Sequence, residues 1–214
     1  MIPVAKPTMY RDTMFRSRLE ARWAAFFDLS GWLWEYEPFD LLGWTPDFRL
    51  QAATPILVEV KPITWSIAGP EQILQEDGLR KVLDCRREQR FDPEDFGGEL
   101  LILGDGPQRV GADVVLGVFA DEAWGASPDW ALLCKNRSVL APPFDFCAAT
   151  GSFAYRITGK WDGNNHIDPV NDNLAATAWR HAGNRVQWKG EGASYRGPVG
   201  PLLRDLIEKL GGGE

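Results

Sequence analysis

Residues 45–61 read TPDFRLQAATPILVEVK. Two runs with strand character, 45–50 and 56–61, are separated by a loop of hairpin length, which predicts antiparallel pairing. On the second run, alternation places Val58 and Val60 on one face and Glu59 and Lys61 on the other. Burying a charged pair on an apolar strand costs desolvation free energy, so the pair needs either a solvated face or a function.

Asp47 begins the first run, and antiparallel pairing would bring its carboxylate close to that of Glu59. Two such carboxylates repel each other unless a cation lies between them. Hard divalent ions take oxygen ligands of this kind, so the pattern predicts a Mg²⁺ or Mn²⁺ site with Lys61 beside it. The alternative is that Glu59 and Lys61 form an ordinary surface pair worth ~0–1 kcal/mol, with Asp47 in a turn.

The flanking sequence predicts a mixed α/β core in the order α-β-β-β-α-β. The first helix, over 10–27, carries an apolar stripe at a 3.6-residue period, with Asp12 as its N-cap and Gly31 after its end. The second, over 70–90, has Pro70 near its start and arginines in its last turn. The predicted strands are 32–36, 45–50, 56–61, 99–104 and 114–119, with a turn at 105–107.

Pro46-Asp47 followed by Glu59-Val60-Lys61 resembles the signature of the PD-(D/E)xK nuclease superfamily. That signature is a Pro-Asp, a spacer, and then an acid, any residue and a lysine. The family core has the same α-β-β-β-α-β order, with the motif on its second and third strands. The segments FRSRLEARWAAFF, WEYEP, TPDF and EVKP are similar to a branch that includes transposon-encoded endonuclease subunits and phage nucleases. The resemblance covers residues 14–105.

The resemblance implies a restriction-endonuclease-like fold and a metal-dependent deoxyribonuclease. It implies that Asp47, Glu59 and the Val60 carbonyl hold one or two Mg²⁺ (or Mn²⁺) ions, that Glu20 of the first helix completes the carboxylate set, and that Lys61 activates the attacking water. Glu20, Asp47, Glu59 and Lys61 are therefore the expected catalytic residues. Glu20 borders the apolar stripe, which favours an inward position, but it is also spaced to pair with Arg16 on an exposed helix face.

The remaining sequence has no match to this family and predicts an α+β extension over 151–214 that follows a core over 1–150. Basic and aromatic residues of the extension, and the arginines of both core helices, could contact DNA or simply be solvated. Glu35, Glu37, Gln72 and Gln75 are further polar candidates near the site. Strands are predicted at 130–135, 153–157 and 186–189, a loop at 141–146, and helices at 169–184 and 200–210.

Composition narrows the function classes. The 214 residues are 44% hydrophobic and 25% charged, which is typical of a globular protein. The net charge of −7 disfavours a nonspecific DNA-coating protein but permits a metal-dependent enzyme. Three cysteines far apart in the sequence and no apolar leader predict a reducing, cytoplasmic location without membrane contact.

Without an ATPase motif, any coupling to site choice would come from a partner protein. Two rival classes remain open at this point. One is an inactive nucleic-acid-binding or protein-interaction module that keeps the fold, and the other is an acidic DNA mimic.

Overall fold

The computed structural model describes residues 5–41, 43–65, 69–89, 98–121, 128–136, 138, 140–150, 154–160 and 168–187. They form an α/β fold around a mixed seven-stranded sheet, which confirms the predicted class. The strands follow one another in sequence order across the sheet, and only β5 and β6 are parallel. The sheet strands are β3 (Leu33–Tyr36), β4 (Phe48–Gln51), β5 (Ile56–Val60), β6 (Glu99–Val110), β7 (Asp113–Asp121), β8 (Asp129–Lys135) and β9 (Phe144–Ala148).

The helices cover both faces of this sheet. A hairpin of β1 (Thr8–Tyr10) and β2 (Thr13–Phe15) leads into α1 (Arg18–Ser30). The crossover between the parallel strands carries α2 (Pro70–Ile73) and α3 (Asp77–Gln89), as a parallel pair requires a long connection. The last described helix is α4 (Asp172–Arg185), whose apolar side chains share a core with those of α1.

The alternation of β5 and β6 explains how the sheet is buried on both faces. Val58, Leu101 and Leu103 belong to the apolar cluster that contains α1 and α4. Leu57 and Ile102 belong to the second cluster, which contains apolar side chains of α3. All five residues of β5 are therefore buried, and Glu59 is among them.

The first helix begins later than the sequence predicted. Arg11 and Asp12 adopt positive φ angles of 46° and 63° in the turn of the β1–β2 hairpin, so Asp12 is not an N-cap. The cap is Ser17, whose hydroxyl accepts the backbone N–H of Glu20 at 3.1 Å. The helix runs to Ser30, three residues beyond the predicted 27, and Gly31 ends it with φ 73°, as predicted.

Five other predicted elements are corrected. The helix over 70–90 is two helices separated at residues 74–76, and the predicted turn at 105–107 lies within the long β6, at a shift in its pairing with β7. The predicted loop over 141–146 includes the start of β9, and residues 154–157 are not a strand. The strand over 186–189 is not formed in its described part, where Val186 caps α4. The helix over 200–210 lies outside the described residues.

The described part of the predicted extension packs on the first helix through Trp179. Its ring lies 4.6 Å from that of Trp23 and 5.9 Å from that of Phe26. The guanidinium of Arg22 lies over the Trp179 ring and donates to its carbonyl oxygen at 2.8 Å. Removal of α4 would therefore expose the apolar face of α1.

All three cysteines are buried free thiols. Cys134 and Cys147, distant in the sequence, lie on the neighbouring strands β8 and β9 with their Sγ atoms 3.5 Å apart. Among the described residues, no helix combines the length and the apolar composition that crossing a bilayer requires.

Candidate functional site

An open cavity of about 630 Å³ lies where α1, β4, β5 and α3 meet. Every residue that the sequence singled out as a ligand or a catalytic group contributes to its wall. These residues are Glu20, Asp47, Glu59, Val60 and Lys61. The wall also includes Arg16, Asp40, Trp44 and Lys81.

The register of the β4–β5 pair positions Asp47. Phe48 pairs with Val58, so Asp47, one residue earlier, lies across from Glu59. Its Oδ2 accepts the backbone N–H of Val60 at 2.7 Å, and its Oδ1 accepts Nη2 of Arg16 at 2.8 Å. Burial, followed by the charge of Glu59, raises the pKa of Asp47 to about 7. The charge of Glu59 thus opposes ionisation of Asp47, a repulsion that a divalent ion between the two carboxylates would relieve.

Glu59 projects from β5 on the face opposite Val58 and Val60, as alternation predicted. Its Oε2 accepts the indole N–H of Trp44 at 2.7 Å, and its Oε1 lies 2.6 Å from Nζ of Lys61. Glu59 is only 5% exposed. The pair that it forms with Lys61 is therefore not the ordinary surface pair that the sequence left as an alternative.

Glu20 reaches the cavity from the first turn of α1. It is buried, and its Oε2 accepts the hydroxyl of Tyr36 at 2.7 Å. The Tyr36 hydroxyl in turn accepts the backbone N–H of Arg16 at 3.0 Å. The inward position is thus the one observed, and the partner of Glu20 is Tyr36 of β3 instead of Arg16.

Three residues at the site were missed by the sequence reasoning. Arg16 joins Asp47 to Glu37, whose Oε1 lies 2.7 Å from its Nε. Trp44 holds Glu59, and Tyr36 holds Glu20. Alternation along WEYEP could have identified Tyr36, because it places Trp34 and Tyr36 together on the inward face of β3. No signal in the sequence distinguishes Arg16 from the other arginines around it.

The other polar candidates mostly lie elsewhere. Glu35 is exposed and faces Arg49 across β3 and β4 at 3.9 Å, whereas Glu37 reaches the site only through Arg16. Gln72 and Gln75 are exposed and are not part of the cavity wall.

Of the basic run on α3, only Lys81 lines this cavity. Arg86 donates to the Gly98 carbonyl, and Arg87 pairs with Asp84. Some basic and aromatic residues of the extension lie on α4, namely Trp179, Arg180 and Arg185. The others lie outside the described residues, namely Trp188, Lys189, Tyr195 and Arg196.

The donor set fits a hard divalent cation in its chemistry, since it consists of carboxylate oxygens and a backbone carbonyl. Within the described residues, no three histidine, cysteine, aspartate or glutamate side chains are arranged to hold an ion as they stand. Each oxygen of Asp47 and of Glu59 instead has a cation or an N–H donor as its partner. An ion bound to Oδ1 of Asp47 or Oε1 of Glu59 would share that oxygen with the cation of Arg16 or Lys61, or displace it.

Comparison of the chain with protein-family models, with curated proteins and with solved structures gives no match. The function of the cavity is therefore inferred from its residues and geometry.

Proposed function

We propose that the protein is a divalent-metal-dependent deoxyribonuclease that acts at this cavity. The observation that carries the proposal is the convergence of Glu20, Asp47 and Glu59 with Lys61 on one open cavity. Burying three acids in one place is unfavourable unless a cation compensates them. A mobile ion and a phosphate substrate would together account for both the acids and the adjacent lysine.

The order of elements supports a restriction-endonuclease-like core as part of this proposal. Between Arg18 and Val110 the chain runs helix, three strands, helices and a strand. Asp47 lies at the start of the second of these strands and Glu59 within the third, on an antiparallel pair. This is the arrangement that the resemblance to the PD-(D/E)xK superfamily implies.

The residues divide the chemistry among them. Asp47, Glu59 and the Val60 carbonyl would hold the ion, and Glu20 would complete the set directly or through water. Bound Mg²⁺ or Mn²⁺ would supply Lewis-acid stabilisation of the phosphate and lower the pKa of water. Lys61, tied to Glu59 in the metal-free arrangement, would orient the attacking water or stabilise charge that develops on the phosphate.

Phosphate groups of DNA would approach between α1 and α3. Arg16 and Lys61 lie on the cavity wall, and Lys81 faces them from α3. These cations provide a local basic rim on a chain whose net charge is −7. Binding through such a rim weakens steeply as salt increases.

The test is cleavage of supercoiled plasmid in Mg²⁺, in Mn²⁺ and in a chelator. We expect nicking or linearisation only with the divalent ions, and its loss in Glu59→Gln and Asp47→Asn. Glu71→Gln is the matched control, because it makes the same change at an exposed position outside the cavity wall. Cleavage that persists in the chelator, or in both site variants, would refute the proposal.

A panel of linear, circular, branched and single-stranded DNA would separate endonuclease from exonuclease action. A partner protein that supplies site choice and a cytoplasmic location both belong to the proposal. The location rests on the three free thiols.

The inactive binding module remains the second candidate, and one observation favours it. Two of the three site carboxylates, Asp47 and Glu59, already have cationic partners in Arg16 and Lys61 without a metal ion. This candidate predicts DNA binding that is independent of divalent ions and no cleavage on any substrate of the panel. Calorimetry with Mn²⁺ would distinguish it, because the nuclease must take up the ion.

A further inference from the structure

Arg16 occupies the position on Asp47 from which a bound ion would have to act. Its Nη2 lies 2.8 Å from Oδ1 of Asp47, and the other carboxylate oxygen is taken by the Val60 N–H. A guanidinium and a divalent ion on one carboxylate oxygen would repel each other at close range. Since Oδ2 is held by a backbone N–H in the sheet, Oδ1 is the oxygen that can change partner.

Two contacts other than the one with Asp47 would keep Arg16 at the cavity if its contact with Asp47 broke. Its Nε lies 2.7 Å from Oε1 of Glu37, and its backbone N–H is fixed by the hydroxyl of Tyr36. Glu37 is itself held in place, because its backbone N–H donates to the carbonyl oxygen of Asp47 at 3.0 Å. Its φ angle of 44° shows that the chain accepts an uncommon conformation at this position.

Solvent reaches this arginine. The side chain of Arg16 is 56% exposed, whereas that of Asp47 is only 7% exposed. Rotation away from Asp47 therefore moves the guanidinium into the mouth of the cavity and needs no rearrangement of the core. Arginine presents five N–H donors in a fixed fork, so the four on its two Nη atoms remain available after Glu37 has engaged Nε.

We propose that Arg16 is a positioning residue that neutralises Asp47 until a divalent ion displaces it, and that Glu37 then holds the freed guanidinium at the cavity mouth to bind a phosphate of the DNA. The inference rests on the proposed nuclease function and adds to it a competition between Arg16 and the ion, together with a role for Glu37. It treats the ion and Arg16 as competitors for one oxygen of Asp47.

The test is calorimetric titration of Mn²⁺ into the full chain at pH 8. Loss of a charge-assisted contact on Asp47 should raise the Mn²⁺ affinity of Arg16→Gln by about tenfold. Arg18→Gln is the matched control, since it removes the same charge from an exposed position two residues along the chain and should change the affinity less than about threefold. Glu37→Gln should lower the affinity, because Arg16 then depends more on Asp47.

A double variant separates this mechanism from simple loss of charge. In the Arg16→Gln background, Glu37→Gln should have little effect on Mn²⁺ affinity, because Glu37 acts through Arg16. DNA affinity measured in Ca²⁺ should fall in Arg16→Gln and stay near the parent value in Arg18→Gln. Arg16→Lys provides a second variant if Arg16→Gln fails to fold. Its Mn²⁺ affinity should lie between the affinities of the parent and of Arg16→Gln.

The outcomes separate the inference from the proposed function. If the parent binds Mn²⁺ and Arg16→Gln differs no more than Arg18→Gln does, the inference is wrong and the metal site stands. If neither the parent nor Arg16→Gln takes up Mn²⁺, the proposed function and the inference fail together. Uptake by Arg16→Gln that exceeds uptake by the parent supports both.

Discussion

Two groups of buried carboxylates at the sheet, Asp145 on one side and Asp47 with Glu59 on the other, differ in the partners that hold them. Asp145 on β9 is fully buried and accepts backbone N–H groups of Phe146, Ile157 and Thr158 at 2.8–3.0 Å. Its Oδ2 also accepts the Thr158 hydroxyl at 2.8 Å. These donors belong to the backbone or to short side chains beside it, so they cannot leave without unfolding the segment.

Asp47 and Glu59, at the other side of the sheet, are held partly by long side chains. Arg16 and Lys61 reach them from an open cavity and can rotate away, while only the Val60 N–H and the Trp44 indole are fixed. Burial alone therefore does not distinguish a structural acid from a functional one. The distinguishing property is whether the partners that neutralise it can be exchanged for a ligand.

The largest expected effect is on the rate of cleavage in Lys61→Ala. Loss of the lysine should reduce the rate by ~10²–10⁴, the range for an electrostatic or acid–base group. Metal affinity should stay equal or rise, because a cation beside Glu59 has gone. Single-turnover cleavage and Mn²⁺ calorimetry would measure the two quantities.

Lys81→Ala is the matched control for that experiment. It also removes a lysine from the cavity wall, but this lysine is on α3 and has been assigned only a DNA contact. We expect it to weaken DNA binding in Ca²⁺ and to leave the rate at saturating DNA near that of the parent. Parent-like cleavage by Lys61→Ala would refute the role of Lys61 even where the metal site is correct.

The second effect is on the free energy of unfolding, and we expect it for substitution of Asp145 but not for substitution of Asp47. Asp145→Asn places an NH₂ group among backbone N–H donors and removes the charge that several of them share. We expect a loss of about 3 kcal/mol in the free energy of unfolding. Urea denaturation in chelator would measure it, and Asp47→Asn should show little loss or a gain in the same buffer. Equal losses in the two variants would remove the distinction between the regions.

The third effect is a pH dependence that follows from the raised pKa of Asp47. Its pKa is about 7 in the folded protein against an ordinary value of 3.8, so between these values the folded state holds a proton that the unfolded state has released. Stability from this group is therefore complete below pH ~4 and is lost as the pH rises through 7, with a limiting slope of ~1.4 kcal/mol per pH unit.

The measurement is thermal or urea unfolding of the parent and Asp47→Asn over this pH range in chelator. The difference between the two proteins isolates Asp47 from the other titrating groups. The parent should lose stability relative to the variant as the pH rises toward 7. A difference that stays constant across the range would mean that Arg16 keeps Asp47 ionised throughout.

The distinction between the two regions also explains what the sequence could predict. Residues 45–61 carry strand alternation, a short connection and three charged residues, so they predict both the β4–β5 hairpin and the residues that share the cavity. These are local properties. The predicted start of α1 was wrong because Asp12 and Ser17 are both acceptable N-caps. The choice between them depends on the β1–β2 hairpin, whose turn contains Arg11 and Asp12.

The second half was harder because its structure depends on distant partners. The predicted loop over 141–146 overlaps the start of β9, whose sequence FDFCA contains an aspartate where a buried strand is usually apolar. The aspartate is tolerated because the backbone N–H groups of Ile157 and Thr158 donate to it, while the N–H of Arg156 donates to the carbonyl oxygen of Phe146. Trp44 was missed at the site for the same reason, since an indole has no pattern that marks it as a partner of an acid.

The smallest expected effect concerns Trp44, the fixed partner of Glu59. It tests whether a fixed hydrogen-bond donor stabilises an acid of the cavity, as fixed donors stabilise Asp145 on β9. Trp44 is 7% exposed and donates its indole N–H to Oε2 of Glu59 at 2.7 Å. Trp44→Phe removes this donor and should cost roughly 1–2 kcal/mol of unfolding free energy in chelator, since hydrogen bonds to a charged acceptor are worth more than neutral ones.

The loss includes packing, so the hydrogen bond is isolated by repeating the substitution in Glu59→Gln, where the acceptor is neutral. The double-mutant cycle should give a coupling of about 1 kcal/mol. A coupling near zero would mean that Trp44 contributes packing alone and that Glu59, like Asp47, relies on a movable cation.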